Sequence, residues 1–197
     1  MRLFLLLFSA LTISGCVQHT KMLKPLAEKQ QGTLNIQSVT VSYSDLSAET
    51  IMAIDEKIKT EAEKKGNSDS IASQPLKSSM AKVTKEVLEA RDSDTNDFAN
   101  IYIEVDNLKF VDPMAAILIS DTDQLSGSVK VVDPKTKELL SEFYVDVLKG
   151  TGGLLGLAVR GGGVREKLSA QFAEYIGDNL GFEKIENTAT YNSASKE

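Results

Sequence analysis

Helical and strand periodicities follow one another in an order that leaves this chain few folds. Thr33–Tyr43 is rich in β-branched residues, with Leu34 and Ile36 in one phase and Val39, Val41 and Tyr43 in the other. A slip of phase inside a strand predicts a bulge near Gln37-Ser38. Ile51, Ile54, Ile58 and Ala62 then recur at helical spacing, with Ser47 placed as N-cap and Lys64-Lys65-Gly66 as the close. Ser73-Gln74-Pro75 opens a second helix whose stripe is Leu76, Met80, Val83 and Val87. From Asn100 the period returns to two: Ile101, Ile103 and Val105 share a face, and the phase shifts around Asp106-Asn107 before Leu108 and Phe110. Met114–Ile119 fits either a strand or a helix. Leu125–Val132 and Leu139–Leu148 form a hairpin around Asp133-Pro134-Lys135-Thr136-Lys137, where proline sets φ. Leu168, Phe172, Ile176 and Leu180 mark a last helix, capped by Gly181; Asn187–Glu197 is polar.

Strand, helix, helix, three or four strands, helix: helices interrupt the strands too seldom for a doubly wound parallel sheet. The expected fold is α+β, a two-layer sandwich. Its sheet is largely antiparallel with four or five strands, and about three one-sided helices cover one face. Composition agrees with one soluble globular core, at 42% hydrophobic and 25% charged residues.

Composition also removes several chemistries. The single cysteine excludes an internal disulfide and a thiolate metal cage. The single histidine, His19, would have to serve any Ser/His/Asp triad, Cys/His pair or multi-histidine metal site, and it lies in a polar leader to the domain. With 22 basic against 28 acidic residues the net charge is −6, which argues against nucleic acid held by phosphate contacts. No cofactor or metal is expected.

Met1-Arg2 supplies positive charge ahead of an eleven-residue apolar stretch, Leu3–Ile13. That is shorter than the roughly 20 residues of a membrane-spanning helix, and it fits the core of a signal peptide. Ile13-Ser14-Gly15-Cys16 resembles the lipobox of bacterial lipoproteins. The resemblance implies cleavage between Gly15 and Cys16, a diacylglycerol on the Cys16 thiol, and acylation of the new amino group. Two or more acyl chains anchor a protein stably. Val17 rather than Asp follows the cysteine, which in enteric-type lipoproteins favours the outer membrane, facing the periplasm. The expected divisions are a signal peptide over 1–15, a lipidated Cys16 with a tether to residue 32, a domain over 33–182 and a polar tail over 183–197. Sixteen tether residues would reach roughly 50 Å.

Three patterns invite a site. Asp92-Ser93-Asp94-Thr95-Asn96 begins like a calcium loop, but Asp97 stands at the glycine position and Ile103 at the closing glutamate, so it reads as a solvated acidic turn. Residues 150–163 hold seven glycines. Leu155 breaks the dinucleotide fingerprint, and Gly162 and Gly163 replace the lysine and hydroxyl of a phosphate loop. Its apolar centre, Leu154, Leu155, Leu157 and Val159, is expected either to pack on the domain or to contact a partner or membrane. The carboxylate pairs Glu104/Asp106, Asp121/Asp123 and Glu142/Asp146 would suit acid–base work, but alternation on an exposed strand face produces such pairs without function.

The succession continues with Val132-Asp133, Lys135-Thr136, Glu138-Leu139-Leu140, the Gly-rich segment and Leu168-Ser169-Ala170-Gln171-Phe172-Ala173. It resembles a broad group of bacterial lipoproteins with domains of unknown function, and more distantly the curli secretion and ABC-transport auxiliary lipoproteins. In that group a glycine often stands where this chain has Lys137. The resemblance implies an envelope lipoprotein and transfers one site, Cys16. The expected function is a lipid-anchored envelope protein with a non-enzymatic role, binding another envelope protein as an assembly or transport accessory. The alternatives are a periplasmic carrier of a small apolar ligand or lipid, and a carboxylate-dependent hydrolase.

Overall fold

The computed structural model describes residues 20–64, 74–91, 95, 97–110, 122–150 and 164–183. The expected signal peptide over 1–15, Cys16, His19, residues 111–121, the 151–163 segment with Leu154, Leu155, Leu157 and Val159, and most of the expected C-terminal tail lie outside them.

Five strands form one mixed sheet: β1 (Thr20–Lys24), β2 (Asn35–Tyr43), β3 (Phe98–Lys109), β4 (Thr122–Val132) and β5 (Leu139–Gly150), ordered β1-β5-β4-β3-β2. Every neighbouring pair is antiparallel except β2 and β3, which run parallel across the crossover formed by α1 (Ala48–Lys64) and α2 (Leu76–Glu89). The final helix, α3 (Val164–Asn179), packs with α2 on the same layer, over β2, β4 and β5. The α+β expectation holds, with three α-helices and five strands among the described residues.

Both phase slips are bulges. The β2–β3 register shifts between Ile36 and Ser38, so Ile36, Val41 and Tyr43 all turn to the helices despite their odd spacing. The β3–β4 register shifts between Val105 and Asn107, leaving Asp106 as the extra residue between inward-facing Val105 and Leu108. The core is Leu34, Ile51, Leu76, Met80, Ile101, Ile103, Val105, Leu125, Val129, Phe143, Val145, Leu168, Phe172 and Ile176, all buried. In α2 the buried stripe is Leu76, Met80, Val83 and Leu88, with Ser79 and Thr84 beside it; Val87 is only half-buried. Leu88 rather than Val87 completes the face.

Two local expectations hold in detail. At the hairpin, Asp133 Oδ1 accepts the Lys135 and Thr136 N–H groups at 2.7 and 2.9 Å, which holds its carboxyl below the usual carboxylate range. Lys137 takes φ 63°, the left-handed position for which glycine is suited and which costs another residue about 1 kcal/mol. Gly181 closes α3 at φ 77°, and the Phe182 N–H donates to the Gly177 carbonyl at 3.0 Å, the six-to-one bond of a helix C-cap.

The tether needs correction. From Thr20 onward the residues read as a leash belong to the domain: β1 pairs with β5, Leu26 is buried, and the Gly32 N–H donates to the Leu180 carbonyl at 2.8 Å. Gly32 itself has φ 71°, and a Cβ there would lie 2.9 Å from the Gly181 carbonyl oxygen. The reach expected of sixteen residues therefore shrinks to that of the short stretch before Thr20.

Candidate functional site

The most elaborate polar constellation in the described residues ties four elements together. Asp55 lies one turn after Ile51 in α1, on the flank of its apolar stripe, and carries its carboxylate to the start of α2. Both Asp55 oxygens accept from the Leu76 N–H, at 3.0 and 3.1 Å. Asp55 thus serves α2 as a cap supplied by another helix, since Pro75 at the N-cap position has no side chain for the task. Arg165, in the first turn of α3, donates Nη1 to Asp55 Oδ1 at 3.0 Å and Nη2 to the Gln74 carbonyl at 2.6 Å. The Arg165 side chain is 4% exposed and that of Asp55 12%, so the pair is withdrawn from water. A cation at a helix N-terminus opposes the helix dipole; the carboxylates of Asp55 and, at 3.9 Å, Glu166 offset it.

Tyr43, at the end of β2, donates its hydroxyl to Asp55 Oδ2 at 3.0 Å and accepts the Lys77 N–H at 3.0 Å. Burial and the neighbouring Asp55 carboxylate both push the phenol well above its usual range, so it remains a proton donor. The Lys77 ammonium sits 4.5 Å from the centre of the Tyr43 ring. Outside this junction is a shallow cavity of about 360 Å³ lined by Tyr43, Met52, Asp55, Glu56, Lys59, Pro75 and Lys77. Asp55 is saturated by an arginine, an amide and a phenol, which leaves it no lone pair suited to a general base. The arrangement holds elements in place.

The second polar region is the sheet face turned away from the helices. Asn107 Nδ2 donates to Gln124 Oε1 at 3.0 Å, and Gln124 Nε2 donates to Asp146 Oδ1 at 2.8 Å, a relay across three strands. Tyr144 lies in the same region; burial raises its pKa, opposed by a hydrogen bond with Ser126. Glu142 pairs with Lys130 at 3.7 Å. Ser38 donates to Asn100 Oδ1 at 2.8 Å.

The sequence-predicted carboxylates fall mostly on this face. Glu104 is exposed and Asp106 half-buried at the bulge, both on open sheet surface rather than in a cleft. Asp146 is engaged by Gln124 and Glu142 by Lys130. Asp123 is fully buried on the opposite side, and Asp121 lies outside the described residues. Of the calcium-like turn, Thr95 is bound to the domain: its hydroxyl donates to the Thr33 carbonyl, and Asn35 Nδ2 donates to the Thr95 carbonyl. Among the described residues no cluster of three His, Cys, Asp or Glu side chains is placed to hold a metal ion. Nor is any described helix long and apolar enough to cross a membrane.

Sequence reasoning missed Asp55 and Arg165. The available signal was weak: an aspartate immediately after Ile54 of the stripe, and an arginine directly after the last glycine of the 150–163 run and the valine that follows it.

Comparison with known proteins places lipoproteins among the structures this chain is similar to. No family model matches the chain, and no curated protein matches it. Solved structures do match. A dodecamer of a PelC point variant from Paraburkholderia phytofirmans has a TM-score of 0.45 at 7% identity, covering 84% of this chain and 98% of that one. A candidate lipoprotein from Caulobacter crescentus CB15 has a TM-score of 0.34 at 15% identity, over 52% of this chain and 80% of that one. Lipoprotein GNA1162 from Neisseria meningitidis has a TM-score of 0.27 at 13% identity, over 74% of this chain and 98% of that one.

Proposed function

We propose that this chain is a lipid-anchored protein of the bacterial cell envelope, held through acyl groups on Cys16 in the outer membrane and facing the periplasm. Its domain binds another envelope protein, as an accessory of assembly or transport, and does not catalyse a reaction. The observation that carries the reading is the sequence Leu3–Ile13 followed by Ile13-Ser14-Gly15-Cys16, in which the chain's sole cysteine falls at the one place where acylation needs it. Two features of the domain support the non-enzymatic part. The described carboxylates that could pair are engaged or lie on open surface, and Asp55 is saturated by structural donors. The described sheet–helix interior is filled by side chains, Phe143 and Phe172 among them, which disfavours a carrier with an apolar cavity between the layers.

A native mass spectrum of the protein extracted from membranes in mild detergent tests this directly. The expected species is an acylated chain beginning at Cys16 in stoichiometric complex with a second protein. An acylated monomer carrying a small apolar ligand would turn the reading to a carrier; an acylated monomer alone would contradict the partner.

A further inference from the structure

Resting on the lipid-anchor reading, the topology fixes how the domain stands on its membrane. A single row crosses the whole sheet: Thr20 pairs with Val145, Val145 with Gly127, Gly127 with Val105, and Val105 with Tyr43. β1 runs antiparallel to β5, so its N-terminal end points toward the end of the sheet where β3 finishes at Lys109, β4 begins at Thr122 and β5 finishes at Gly150. Four residue steps separate Cys16 from Thr20, and at 3.3–3.6 Å each they reach about 14 Å at most. From the same row to Gly150 is five residues of β5, about 17 Å. The acyl-bearing cysteine therefore cannot be carried clear of that end of the sheet along the strand direction.

The other end is too distant to meet the bilayer in its place. Val132 pairs with Leu139, six residues from Val145, which sets the 133–138 turn more than about 20 Å from Thr20 on the far side. The broad face turned away from the helices carries Glu104, Asp106, Glu142 and Asp146 against Lys21, Lys24, Lys109 and Lys130, four charges of each sign. Charges that balance give that face no net attraction to anionic lipid. By contrast, the turn that leaves β2 at the Cys16 end presents Leu46, 96% exposed, while Leu148, opposite Gln124, lies on the broad face close to that end.

We infer that the end of the sheet marked by Tyr43, Lys109, Thr122 and Gly150 faces the bilayer that holds Cys16, with Leu46 at the headgroups. The Asp133–Lys137 hairpin is then the membrane-distal tip, presented to the periplasm. Leu46 is on the opposite edge of the sheet from β1, across four strand spacings or about 19 Å, so its contact with lipid reports the orientation of the domain and not mere closeness to the anchor.

The test uses the full lipidated protein in vesicles of phosphatidylethanolamine and phosphatidylglycerol containing a headgroup-nitroxide lipid. Leu46→Cys, Tyr102→Cys and Lys135→Cys each give a single free thiol for a fluorophore, because Cys16 is acylated. Flotation of the vesicles is measured first. The expected result is flotation of all three, with quenching at position 46 about threefold or more above that at 135, since the two differ in height by more than about 20 Å. Equal quenching at all three positions would mean a domain lying flat, and stronger quenching at 135 an inverted one; either overturns the orientation while leaving the anchor intact. Failure to float would overturn the anchor and the orientation together.

Discussion

Asp55→Ala is expected to destabilise the domain by about 3–5 kcal/mol, the range for breaking a buried ion pair by removing one partner. The reason is what the substitution leaves behind. Arg165 would remain buried without its carboxylate, the first amide of α2 would lose its acceptor, and the Tyr43 hydroxyl would lose a partner. Domains of this size are stable by only 5–15 kcal/mol, roughly, so the effect is a large fraction of the whole. Replacing both partners, Asp55→Leu with Arg165→Met, is expected to recover much of the loss, because no charge is stranded. Denaturant unfolding of the three detergent-extracted proteins decides the matter. A single-variant loss below about 1 kcal/mol would show the pair to be effectively solvated.

This junction also shows where sequence reading stops. Opposite charges 110 positions apart carry no local signature, and neither Asp55 nor Arg165 breaks a helical pattern. Periodicity reports which face a residue turns to the core, and so both bulges were legible: a phase slip at Gln37-Ser38 and another at Asp106 have few other meanings. The hairpin and the Gly181 cap were legible because turn chemistry is local. Periodicity does not name a strand's neighbour, so the parallel pairing of β2 with β3 was not. β1 was missed for a related reason. Thr20-Lys21-Met22-Leu23-Lys24 is too short and too polar to show a period, and its order comes from pairing with β5 across the chain.

The second large effect is expected at Gly127, in the middle of β4. A Cβ there would lie 2.4 Å from the Glu104 carbonyl oxygen and 3.1 Å from Val105 Cα, both backbone, just before the β3 bulge at Asp106. No side-chain rotation relieves such a clash. β3 would have to move, together with Ile103 and Val105, which are packed in the core. Gly127→Ala is expected to cost about 3 kcal/mol, at the upper end for inserting one carbon into a close-packed site. Ser128→Ala, one residue on and facing the open side, is expected to stay within about 0.5 kcal/mol. Equal unfolding midpoints for the two variants would contradict the close approach of β3 and β4.

The two structural predictions bear on function through the sheet. Gly127 sits in the row that links Thr20 to Tyr43, and Tyr43 is bonded to Asp55 in the junction. One continuous set of pairings therefore runs from β1 at one edge of the sheet to the helix crossover at the opposite edge.

Cys16→Ser is the sharpest test of the proposed lipid anchor. Wild-type protein and variant are expressed in a bacterium, fractionated, and weighed intact. The expected result is a wild-type chain in the membrane fraction that begins at Cys16 and carries the added mass of its acyl groups, and a variant without acyl mass that is either uncleaved or released as a soluble form. A Cys16→Ser protein that still fractionates with membranes as a processed, acylated chain would contradict it.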